Sequence, residues 1–195
     1  MNFLAHLYLS GEPSDLMVGN FIADSIRGKE VQTFSEDIQK GIILHRFIDH
    51  FTDTHPVTHD IKLRIQEDFH KYNAVVVDLY YDHFLSKHWS KFHPTPIEEY
   101  AAMIYQFMQQ QPNMPERVEE LLPYMMKQNW LVNYANFDGL QRVFNGMSRR
   151  ANFTSNMEKG IEVLQREYDF LEEAFFTYFP QLEVACKEKI EEIYK

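Results

Sequence analysis

The sequence predicts an all-α fold, and three observations carry that reading. Glycine (7) and proline (8) are scarce among 195 residues, so the chain has few built-in breakers. Apolar residues recur at helical spacing, and β-branched alternation is rare. Cap-forming residues precede several of the periodic stretches. The expectation is a bundle of about seven to nine helices in a single domain over residues 1–195.

The N-terminal MNFLAHLYLS is apolar apart from His6 and reads as a short buried helix or an extended segment. Ser14 or Asp15 caps a helix through LMVGNFIADSIR, which stops at Gly28, a natural residue just past a helix end. Ser35 caps the next, with Glu36 and Asp37 in the first turn, where the helix dipole favours anions. Its apolar face is Ile38, Ile42, Ile43 and Phe47, and Pro56 bounds it. Thr58 starts a helix to about Lys71, and Asn73 another to about Trp89. Pro96 and Pro115 open helices reaching about Gln111 and Gln128. Phe137 to Arg150 forms one more. The last begins near Ser155, is expected to break at Pro180, and continues to the end of the chain.

Composition narrows the function classes. A formal net charge of −10 argues against a nucleic-acid-binding module, which needs a basic footprint. The acidity is spread along the chain, with 13 acids against 9 bases in residues 1–93 and 16 against 10 in residues 94–195. The single cysteine, Cys186, allows no intramolecular disulfide. No 18-residue apolar run or signal-peptide pattern occurs, so a cytoplasmic protein without membrane association is expected. Gly-rich phosphate loops, a nucleophile elbow, paired cysteines and H-E-x-x-H are all missing.

All nine histidines lie in the first 93 residues, most of them beside an aspartate or one helical turn from one. Imidazole and carboxylate together are the usual ligands of a catalytic divalent metal. In GIILHRFIDHFTDTHP, His45 and Asp49 stand four residues apart, so both project from one helix face and can converge on one ion. Asp53 continues that stripe, and Arg46 offers a planar fork for a phosphate. The bland alternative is a solvated helix face with an internal ion pair. Asp24, set between Ile22, Ala23 and Ile26, needs a partner, either a metal or Arg27. In DLYYDHFLSKHW, Asp82 and His83 sit in an aromatic surround, as a site or as satisfied core residues. His6 alone in an apolar segment reads as structural more readily than as a ligand. The dipeptide His59-Asp60 matches the literal signature of HD-type metal phosphohydrolases, but it stands at a helix start in a polar context and is read as a decoy.

Several of these segments, in this order, resemble the acyl carrier protein phosphodiesterase family: MNFLAHLYL, GNFIADSIRG, GIILHRFIDHFTDTHP and DHFLSKHW, with QNWLVNY and NGMSRR as looser matches. The resemblance implies hydrolysis of the phosphodiester joining 4′-phosphopantetheine to a serine of holo-acyl carrier protein. It also implies a divalent cation, typically manganese or magnesium, and a fold diverged from the HD phosphohydrolases. On that reading His6, Asp24, His45, Asp49 and Asp82 hold the metal, with Asp24 and Asp49 central to catalysis. Arg27 and Arg46 bind the phosphate, and His83 is the acid for the leaving serine. An acidic carrier would be met by a local patch from Arg27, Lys29, Lys40, Lys87 and Lys91. The same residues would also serve an HD-like hydrolase of small nucleotides or phosphomonoesters, or a non-catalytic helical protein that binds a metal or partner.

Overall fold

A computed structural model describes Met1–Lys195, with helices and no strand. The α-helices are α1 (Phe3–Leu9), α2 (Asp15–Ile22), α3 (Glu36–Thr54), α4 (Pro56–Arg64), α5 (Gln66–Phe69) and α6 (Asn73–Lys87), followed by α7 (Ile97–Gln109), α8 (Glu116–Lys127), α9 (Trp130–Asn133), α10 (Phe137–Arg150), α11 (Gly160–Arg166) and α12 (Tyr168–Ile193). No helix is long and apolar enough to cross a membrane. The all-α class is as expected. The helix count exceeds the expected range because stretches that read as one are divided. The helix expected from Thr58 begins at Pro56 and is split at Ile65 into α4 and α5.

Pro180 does not interrupt the last helix, as the sequence had suggested; α12 runs 26 residues through it. A mid-helix proline forfeits one backbone hydrogen bond and crowds the preceding turn. Burial on both sides outweighs that cost: Phe175, Tyr178, Phe179 and Leu182 are all enclosed. α12 packs along α3, α4 and α6. The Tyr81 and Tyr178 rings stack at 4.6 Å, with Thr58 and Thr52 meeting their hydroxyls at 2.9 and 2.6 Å.

Two features of the N-terminal half fix the site. The first is the contact of α2 with α3, the most extensive between any two elements. It is backbone against backbone. A Cβ on Gly19 would lie 2.0 Å from the Ile38 carbonyl oxygen, and one on Gly41 would lie 2.1 Å from that of Leu16. Only glycine permits this approach. The second is α1, which is buried between α2 and α6. The first amides of a helix have no partner within it. Here the Asn2 side chain takes Phe3 N–H at 3.0 Å, while the Asp82 carboxylate on α6 takes Leu4 N–H at 2.8 Å and Ala5 N–H at 3.2 Å.

α2 stops at Ile22, short of the expected end, and tightens into a 3₁₀ turn over Ala23–Ser25. That turn buries Ala23 and, just after it, Ile26, but leaves the Asp24 side chain 74% exposed. Gly28 has φ +54°, the left-handed conformation expected where this segment ends.

Candidate metal centre

Three side chains from two helices converge: His6 of α1 with His45 and Asp49 of α3, their ligand atoms all within 4.8 Å of one another. His6 Nε2 lies 3.3 Å from Asp49 Oδ1, and His45 Nε2 lies 3.1 Å from Asp49 Oδ2. The imidazoles stack with centroids 4.0 Å apart. Asp24 approaches from the 3₁₀ turn, its Oδ1 3.3 Å from His45 Nε2.

Asn20 of α2 orients both rings. It is fully buried. Its Nδ2 donates to the His6 carbonyl at 2.9 Å and to Ser10 Oγ at 2.8 Å, which fixes the amide so that Oδ1 faces the imidazoles. His6 Nδ1–H donates to that Oδ1 at 2.8 Å, and His45 Nδ1–H donates to the Asn20 backbone carbonyl at 2.7 Å. With protons fixed on Nδ1, each Nε2 presents a lone pair toward the Asp49 carboxylate. His6 Nε2 is buried and has no hydrogen-bond partner. Lone pairs facing a carboxylate require a positive charge between them. These donors suit a divalent cation such as manganese or zinc, since imidazole nitrogen and carboxylate oxygen are its ordinary ligands.

Without a metal, a proton takes part of that role. Burial works against a charge on His45, but hydrogen bonds with Asp24 and Asp49 reverse this and hold its pKa near 9. His6 falls to about 4, through burial first and then through the neighbouring His45. Two imidazolium rings stacked this closely would repel each other, so only one takes up the second proton that charges it. Burial would raise the Asp49 pKa, but the hydrogen bond from protonated His45 and the nearby Met1 amino group hold it well below the usual carboxylate range. The Met1 amino group adds positive charge 3.4 Å from Asp49 Oδ1 and 3.0 Å from Asp78 Oδ1.

Other expected members lie elsewhere. Asp82 is not brought to the cluster. Both its oxygens are committed to the N-terminus of α1, and burial raises its pKa to about 7. It braces the helix that carries His6. His83 is also apart. Its Nδ1–H donates to the Tyr134 carbonyl at 2.7 Å, and its ring lies among Phe84, Phe137 and Tyr168. Burial lowers its pKa to about 4, so at neutral pH the ring is uncharged and its one proton is committed to the Tyr134 carbonyl. Asp53 pairs with Lys62 at 2.6 Å. Arg27 and Arg46 are exposed and free of ion pairs.

The expected basic patch does not assemble. Lys40 pairs with Glu36 and Asp37, while Lys87 and Lys91 lie over Tyr168 and Phe176 of α12. Asn20 went unassigned in the sequence. Its signal was a polar residue in an apolar helical run one turn before Asp24.

The family model described as acyl carrier protein phosphodiesterase matches residues 1–182. A protein of that name from Enterobacter sp. (strain 638) is 34% identical over 191 residues, covering 97% of this chain and 99% of its own length. One from Escherichia coli O6:H1 is 34% identical over 184 residues, covering 93% of this chain and 95% of its own length. No solved structure matches significantly. Whole-chain similarity and the family model together show that this chain belongs to the acyl carrier protein phosphodiesterase family.

Proposed function

We propose that the protein hydrolyses the phosphodiester joining 4′-phosphopantetheine to a serine of holo-acyl carrier protein, using a divalent cation held by His6, His45 and Asp49 with Asp24 beside them. The observation that carries this reading is the pair of imidazole lone pairs turned by Asn20 toward one carboxylate. A divalent cation bound there supplies a Lewis acid and lowers the pKa of a water. Water adds to phosphorus, the bond from phosphorus to the serine oxygen breaks, and a proton returns to that oxygen. The products are the apo-carrier and free 4′-phosphopantetheine.

The residues divide the remaining work. Asn20 fixes the tautomer and tilt of both rings, so no reorganisation is needed during reaction. Asp49 bridges the two histidines and remains ionised across the working pH range. Asp24, exposed and 3.3 Å from His45 Nε2, aligns the attacking water and accepts its proton. Arg27, three residues further on with its exposed guanidinium in no ion pair, is available to a non-bridging phosphoryl oxygen.

The test follows the mass of holo-acyl carrier protein incubated with the enzyme and Mn²⁺ or Mg²⁺. Loss of the 4′-phosphopantetheine mass, abolished by a chelator and restored by added metal, is expected. An unchanged carrier alongside cleavage of small phosphomonoesters or nucleotides would replace this reading with a general phosphohydrolase.

A further inference from the structure

A cleft of about 660 Å³ opens beside the metal centre, and Asp24 belongs to both. Its walls come from α8, α9 and α10, with Asn2 and Phe3 completing the lining. Arg117, Arg142, Arg149 and Arg150 all face it. They are half of the eight arginines in a chain of net charge −10. Two carboxylates, Asp24 and Glu120, share the lining, so the cleft is locally positive. On α10 the spacing explains the grouping: Arg142, Gly146 and Arg149 recur at four and three residues and share one face. None of the four arginines is in an ion pair, whereas Arg64 and Arg166 elsewhere both are.

Tyr134 contributes to the lining but is 1% exposed, with its hydroxyl enclosed. The volume falls in the range that encloses a flexible small-molecule arm.

We infer that this cleft docks the acyl carrier protein substrate: its arginines pair with carboxylates of the carrier surface, the cleft takes the prosthetic arm, and the Asp24 end receives the phosphodiester. The inference rests on the proposed function. It identifies which surface of an acidic enzyme meets an acidic partner, a role for which the scattered lysines of α3 and α6 are unsuited.

Steady-state kinetics on holo-acyl carrier protein test it, with variants at exposed helical positions that tolerate charge. Arg142→Glu with Arg149→Glu is expected to lower kcat/KM by about tenfold or more, chiefly through KM, and to flatten the fall in rate between low and high salt. Arg117→Glu, on a different helix, should act in the same direction. Lys187→Glu makes the same charge change at each site on α12, away from the cleft, and should leave the constants unaltered. An active wild type with unaltered arginine variants would overturn the docking role and leave the proposed function standing. An equal effect from Lys187→Glu would overturn it as well, by reducing the effect to net charge. A wild type that cleaves small phosphodiesters but never the carrier would overturn both.

Discussion

The His–Asp cluster and the cleft beside it are built on opposite principles. Residues 1–93 supply a dry, preorganised cluster: His6 and His45 are at most 6% exposed, and Asn20 is fully buried. The wall from α8 and α10 supplies exposed arginines that are in no ion pair. Chemistry on a phosphate needs ligands whose orientation is fixed before substrate arrives, and low-dielectric surroundings strengthen every charge there. Recognition of a charged macromolecule needs groups that reach into solvent and remain free to pair. Asp24 is the one carboxylate that touches both regimes.

This contrast predicts large losses on one side and graded ones on the other. Asp49→Ala should have the largest effect, a fall in kcat of about 10³-fold or more, because it removes the carboxylate that both histidines face. Its far-ultraviolet circular dichroism should match the wild type. Turnover within tenfold of the wild type would move the chemistry elsewhere. Gly41→Ala comes next. Its Cβ would meet a backbone carbonyl at 2.1 Å, so α2 and α3 must separate at a cost of about 3 kcal/mol. A depressed Tm with weakened metal binding is expected, and a Tm equal to wild type would refute the close packing.

Asn20→Ala should cost about 10- to 100-fold in metal affinity or activity, the usual effect of losing a group that orients metal-binding histidines. Isothermal titration with Mn²⁺ reads it directly, and unchanged affinity would demote Asn20 to a core residue.

The smallest effect concerns pH. In chelated protein the His45 pKa is raised to about 9 from an unperturbed 6.5. The folded state therefore binds more protons than the unfolded state between those values. Stability from this group is complete below 6.5 and is lost as pH rises to 9. Thermal melts should show that decline in wild type and a reduced slope in His45→Gln. Equal slopes would mean that His45 is not the group held protonated.

Much of this was legible in the sequence, but unevenly. His45 and Asp49 are close because they are one turn apart on one helix, and Ser35 starts that helix as its local chemistry dictates. Arg142 and Arg149 share a face for the same reason. Asp82 and His83 misled because burial and aromatic neighbours look alike for a ligand, a helix brace and a core histidine. What separates these roles is which atoms the side chain meets 50 to 80 residues away. Pro180 misled because a local helix penalty was outweighed by packing that only neighbouring helices supply.

The sequence by itself determined the helical class, the helix pairing His45 with Asp49, and the concentration of imidazole in the first half, since these follow from spacing within one element. Tertiary structure alone decided that His6 joins them, that Asn20 aims both rings, that Asp82 braces α1, and that four arginines face Asp24 across a cleft. Those are contacts between helices, and their geometry depends on how closely α1, α2 and α3 approach and where α10 packs. Helical periodicity records which face a residue lies on, but it does not record what that face will meet.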